Sequence, residues 1–131
     1  MNLPENLSYT KEHEWILISD DKTTATIGVT DFAQSELGEL VYVEVDTVGE
    51  EIAKDEVFGT VEAVKTTSDL FMPVSGKILE FNPELNEDEG DNPGIINEDP
   101  YEKGWIVKIQ ISNVEELDEL LEASAYEALI A

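Results

Sequence analysis

Cysteine and arginine are both absent from the chain, and histidine occurs once, as His13. Without thiols there is neither a disulfide framework nor a thiol nucleophile, so any sulfur chemistry has to be imported. One histidine excludes metal sites built on several imidazoles and leaves a single residue around which a Ser/His/acid triad could form. Positive charge is also scarce: seven lysines stand against 31 Asp and Glu, a net charge of −24. Such a chain is repelled by a phosphate backbone or an anionic membrane surface, which argues against nucleic acid and membrane as partners. No apolar run approaches the roughly 18 residues of a membrane span. The opening MNLPEN lacks the basic start and apolar core of a signal peptide, so the expected location is cytoplasmic, or organellar in an already processed form.

What is present suits one domain, 1–131, with 41% hydrophobic residues to supply a core. Short β-rich segments at 15–18, 24–28, 41–45, 57–64, 70–72, 77–81 and 105–111 predict a mainly β fold of packed sheets. In 41–45 the valines 41, 43 and 45 alternate with Tyr42 and Glu44, which predicts one buried face. Two helices are expected. Thr30 is a candidate N-cap for 31–37, with Asp31 in the first turn and Gly38 as its stop. At the C-terminus Asn113 and Glu116 have capping-box spacing, ahead of a stripe of Leu117, Leu120, Leu121, Ser124, Ala125 and Ala128 that should pack on the sheets. The acidic stretch 82–94 reads as a long loop. No frame in it supplies the ligand spacing of an EF-hand, and no metal site is expected.

Within VEAVKTTSDL, Lys65 falls between two strand-like segments, and the small and polar residues Thr66, Thr67, Ser68 and Asp69 follow it as turn chemistry. An exposed lysine at a hairpin tip can be a plain solubilising residue. It can also be acylated, because a primary amine accepts an amide bond where a guanidinium does not. Spacing alone leaves both readings open. Gly59 in the preceding strand marks a bulge or the close approach of a neighbour. PVSG from Pro73 fixes a second chain reversal just after the tip hairpin.

VEAVK ending at Lys65, SDL from Ser68 and PVSG from Pro73 closely resemble the lipoyl-attachment region of the H proteins of the glycine cleavage system. The likeness extends through HEW from His13, IGVTDFAQ from Ile27, Leu37-Gly38, VYVE from Val41, Ile96-Asn97, Asp99-Pro100-Tyr101, Gly104-Trp105 and a tail containing Leu117, Leu120, Leu121 and Tyr126. This resemblance implies a barrel-sandwich hybrid of small antiparallel sheets with a short internal helix and a C-terminal helix. It implies lipoate in amide linkage on Lys65, installed by lipoate-attaching enzymes, as the swinging arm of a carrier that catalyses no turnover itself. In that family a pyridoxal-phosphate glycine decarboxylase loads an aminomethyl group on the arm. A tetrahydrofolate-dependent aminomethyltransferase removes it, and dihydrolipoyl dehydrogenase reoxidises the dithiol. The resemblance further implies that Glu14 and Asp69 contact the docked arm, where a carboxylate holds the basic amine and exclusion of water slows its hydrolysis. His13 is expected to be a packed or turn residue rather than a proton shuttle.

Three departures stand out: Glu12 where a hydroxyl residue is common before His-Glu-Trp, Lys54-Asp55 in place of a Lys-Gly turn, and a longer, more acidic loop over 82–97. Asp tolerates the left-handed backbone that such a turn needs. Val64-Lys65-Thr66 differs from the Asp-Lys-Ala tip of 2-oxoacid dehydrogenase lipoyl domains and the Met-Lys-Met tip of biotinyl carriers. An alternative that shares Lys65 is a lipoate-relay protein donating lipoyl groups to other lipoyl domains. An acidic interaction domain with an unmodified lysine is a further alternative. An enzyme is disfavoured by the absence of a phosphate-binding loop or nucleophile-elbow motif.

Overall fold

Nine strands frame the fold in a computed structural model that describes residues 3–131. They are β1 (Ser8–Tyr9), β2 (Glu14–Ile18), β3 (Thr24–Val29), β4 (Leu40–Glu44), β5 (Glu51–Ile52), β6 (Val57–Ala63), β7 (Thr67–Phe71), β8 (Gly76–Phe81) and β9 (Val107–Ile111). Every pairing is antiparallel. One sheet has the order β1-β2-β3-β9-β8-β5 and the other β4-β6-β7. Both contribute to one apolar core that includes Ile16, Ile27 and Ile109 from the larger sheet and Val43, Phe58 and Val61 from the smaller. The mainly β expectation holds, with β1 and β5 added; two-residue strands are too short to leave a periodicity in sequence.

Helix α1 (Asp31–Leu37) forms where its end signals place it. The Thr30 side chain accepts the Ala33 N–H, and Gly38, at φ +81°, donates its own N–H to the Gln34 carbonyl. Asn97 then ties the exit of α1 to β4: its Nδ2 donates to the Gly38 carbonyl and its Oδ1 accepts the Leu40 N–H. Asn97 lies in a second short helix, α2 (Ile95–Glu98), just after the 82–94 loop and overlapping the end of the longer 82–97 stretch. Residues before α2 are also anchored, since Leu85 is buried and Asn82 donates to the carbonyls of Lys103 and Trp105.

Three expectations need correction. Val41 is 43% exposed, because a bulge between Leu40 and Tyr42 shifts the register, so that Leu40 faces the core in its place while Val43 is buried as expected. The polar run after Lys65 is not all turn, for β7 already begins at Thr67. Most of all, the tail is not one capped amphipathic helix. A 3-10 turn (Val114–Glu119) is followed by extended backbone at Leu120 and then α3 (Ala123–Ile130). Tyr9 and Leu121 exchange N–H to carbonyl bonds of 2.8 Å in both directions, so sheet pairing interrupts the helix there. No capping box forms: Asn113 accepts the Glu115 N–H, while Glu116 accepts from the N–H and hydroxyl of Ser75. Ser124, Ala125 and Ala128 are exposed, and Tyr126 is the buried residue of α3.

Gly59 satisfies both of its readings. The β6–β7 register shifts between Val57 and Gly59, and a Cβ at Gly59 would stand 2.6 Å from the Glu44 carbonyl oxygen. Asp55 occupies the left-handed region at φ +71°, as expected for the residue replacing glycine in that turn.

Candidate functional site

Lys65 occupies the turn between β6 and β7, closed by a 2.7 Å bond from the Ala63 N–H to the Thr66 carbonyl. The Val64 N–H donates to the Glu39 carbonyl, which braces the tip against the segment entering β4. Lys65 is exposed beside Val64, itself 66% exposed. Among the described residues the only ion pairs belong to Lys54, so the Lys65 ammonium has no acidic partner. An amine held out by a rigid hairpin and free of ion pairs is open to an acylating enzyme.

A cleft of about 410 Å³ lies against the β6–β7 hairpin, β2 and α1, with Glu14, Asp69, His13, Phe32, Leu37 and Val61 among its lining. Glu14 and Asp69, 55 positions apart in sequence, thus meet at one cavity. Lys65 is not in its lining; it sits in the turn beyond β6, between Val61 and Ser68, both of which line the cleft. A larger hollow of about 600 Å³, against residues 97–102, contains none of the three candidate residues.

Glu14 opens β2 and is only 2% exposed. Trp15, next to it, fixes this end of the strand: its Nε1 donates to the Pro100 carbonyl at 2.9 Å, and its ring lies where a Cβ on Gly28 would be, 2.6 Å away. The Thr10 hydroxyl donates to Glu14 Oε1 at 2.8 Å, and the Phe71 N–H donates to Oε2 at 3.2 Å. Those two bonds favour the anion, but burial outweighs them and pushes the carboxyl up to about 8, with Glu12 and Asp55 adding in the same direction. No cation pairs with Glu14 among the described residues. Asp69, in contrast, is exposed on β7 at the cleft mouth.

His13 is a turn residue with φ +70°, its ring packed on Phe32. Its Nδ1 lies 2.8 Å from the Tyr126 hydroxyl. Thr10 and Tyr126, which support Glu14 and His13, were not singled out by sequence reasoning as site residues. Thr10 bears a modest local signal, a hydroxyl four positions before a buried acid, but Tyr126 is 113 positions from His13 and only the fold joins them.

Comparison with known proteins gives a consistent result. A family model described as "Glycine cleavage H-protein" matches residues 7–131. A glycine cleavage system H protein of Chlorobaculum parvum is 53% identical over 130 residues, covering 99% of this chain and 98% of the relative. One from Bacteroides fragilis is 48% identical with the same coverage. The crystal structure of a glycine cleavage system H protein from Mycobacterium marinum superposes with a TM-score of 0.82 at 39% identity, covering 95% of this chain and 96% of that one.

Proposed function

The chain belongs to the glycine cleavage H-protein family, and from that premise we propose that it is the lipoyl carrier of a glycine cleavage system, with residues 1–131 as one carrier domain and lipoate on Lys65. Bound there in amide linkage, lipoate supplies the dithiol chemistry that a chain without cysteine lacks.

The observation that carries this reading is the pairing of an unengaged Lys65 at a hairpin tip with a cleft, against the same hairpin, that holds a buried carboxyl without a cation. Glu14 has donors on both oxygens, the arrangement of an anion, in surroundings that keep it neutral while no positive charge is near. A basic amine entering the cleft provides that charge, and the resulting ion pair is strong because water is largely excluded. Glu14 therefore binds and orients the amine. Asp69 at the mouth adds a second negative charge, and Val61, Phe32 and Leu37 supply apolar walls for the arm.

The chain's own role is to bind, hold and shield, and we assign it no turnover of its own. Its partners are the pyridoxal-phosphate glycine decarboxylase, the aminomethyltransferase, dihydrolipoyl dehydrogenase and the lipoate-attaching enzymes, in a cytoplasmic setting in keeping with its bacterial relatives. A lipoate-relay protein would use the same lysine, but passing lipoate onward brings no amine to pair with Glu14, so the buried carboxyl favours the amine carrier.

Intact mass of the protein from its native host decides the matter. One lipoyl increment is expected, mapped to Lys65 by peptide fragmentation, and Lys65→Arg should lose both the increment and support of glycine cleavage. A chain with no increment, or a Lys65→Arg variant that still supports the reaction, would overturn the reading.

A further inference from the structure

Tyr126 lies on α3, fully buried, with its ring stacked on Tyr9 at 5.0 Å between centroids. Its hydroxyl oxygen is 2.8 Å from Thr30 Oγ1 and 2.8 Å from His13 Nδ1. We propose that Tyr126 is a positioning residue for the arm cleft: its hydroxyl fixes the His13 ring with the proton on Nε2, leaving that N–H as a donor to an acceptor atom of the docked arm. This rests on the carrier reading above.

Proton counting gives the direction of the relay. Thr30 Oγ1 already accepts the Ala33 N–H as the cap of α1, at 3.1 Å. The Thr30 hydroxyl proton has the Tyr126 oxygen as its only acceptor among the described residues, in a side chain with no exposed surface. Were His13 to donate to Tyr126, either the Thr30 proton or the Tyr126 proton, both in fully buried side chains, would go unpaired at full desolvation cost. So Thr30 donates to Tyr126, Tyr126 donates to His13, and Nδ1 is the acceptor. Burial raises the Tyr126 hydroxyl above its ordinary range, outweighing the opposite pull of its bond with Thr30, so it keeps the proton that it donates. A neutral ring with a bare Nδ1 carries its hydrogen on Nε2.

The rest of the setting holds this ring in place. A positive φ is uncommon outside glycine and persists where surrounding contacts enforce it. At His13 the backbone N–H donates to the Thr10 carbonyl and its carbonyl accepts the Thr30 N–H, both at 3.1 Å. The ring is set edge-on to Tyr126 and packs at 5.0 Å from Phe32, which shares the cleft wall with it. Nε2 has no partner among the described residues. The C-terminal helix thus acts on the cleft through Tyr126 without lining it.

Nitrogen NMR of the unlipoylated full chain tests the ring assignment. In the wild type, neutral His13 should show a protonated Nε2 and a hydrogen-bonded, unprotonated Nδ1; in Tyr126→Phe the Nδ1 resonance should move to that of an unbonded ring nitrogen. In lipoylated, amine-loaded protein, Tyr126→Phe and His13→Ala should each speed loss of the amine about tenfold, the effect of one hydrogen bond near 1.4 kcal/mol. The double variant should be no faster than His13→Ala alone, since the two residues act as a unit. A protonated Nδ1 in the wild type, an unchanged Nδ1 resonance in Tyr126→Phe, or unaltered or additive loss rates would overturn the proposal. Absence of lipoate on Lys65 would instead sink the carrier reading, and the NMR on unmodified protein would still decide the ring assignment.

Discussion

A carboxyl group that is 2% exposed and pushed up to about 8 keeps its proton near neutral pH, yet Thr10 and the Phe71 N–H aim at its oxygens as they would at an anion. Glu14 is thus set to change charge when a cation arrives. Removing it should weaken retention of a basic amine by the worth of a charge-assisted bond, about 10- to 100-fold in the rate of loss. Exposed Asp69 is screened by solvent, so its loss should cost only a few-fold. Stopped-time assays of amine remaining on loaded protein, with Glu14→Ala and Asp69→Ala, measure both; unchanged decay in the two variants would refute the docking roles while leaving lipoylation intact. The same carboxyl makes stability depend on pH. Its folded value lies above the unfolded one, so the folded state holds a proton that the unfolded chain releases above about 4.5. Its contribution is full below that pH and declines as pH rises toward 8, by at most ~1.4 kcal/mol per unit. Glu14→Gln cannot release the proton. Urea midpoints at pH 5 and pH 7.5 should therefore shift in favour of Glu14→Gln, relative to wild type, at the higher pH; a gap that stays constant with pH would count against a buried neutral acid.

Elements defined by their own ends could be read from sequence, and those defined by distant contacts could not. Thr30 and Gly38 sit at the two ends of α1, and turn residues follow Lys65, so that helix and the tip hairpin follow from local chemistry. Val41 fails because the strand pattern assumes an unbroken pleat, and the bulge between Leu40 and Tyr42 turns Val41 outward while Val43 beyond it keeps its place in the core. The tail fails for a related reason. Its helical spacing is real, but Leu121 pairs with Tyr9 and Glu116 is drawn to Ser75, and these tertiary bonds outweigh a weak helical preference. The site divides along the same line. Lys65 stands out by turn chemistry and motif, Glu14 and Asp69 are joined at one cleft only by packing β7 beside the start of β2, and the Tyr126–His13 contact spans 113 positions with no local trace.

Charge governs the whole molecule, and its placement limits the damage. On the smaller sheet the acids avoid one another across the strands: Glu44 and Asp69 both face Thr60, and Glu62 faces Tyr42 on one side and Thr67 on the other. Like charges directly opposite would have been destabilising. What remains is longer-range repulsion from a net charge of −24, against which the described residues offer ion pairs only at Lys54, with Asp55 and Glu119. Added salt therefore has much repulsion to screen and little attraction to weaken. The Debye length falls from about 30 Å at 0.01 M to about 10 Å at 0.1 M, within the spacing of neighbouring surface charges on a domain of this size. The melting temperature of the unmodified chain at pH 7 should rise by several degrees as NaCl goes from about 10 mM to a few hundred millimolar, with most of the gain over the first ~0.1 M where screening changes fastest. Calorimetry across that range measures it. A melting point that falls with salt would mean that attractive pairs dominate, contrary to the charge distribution described here.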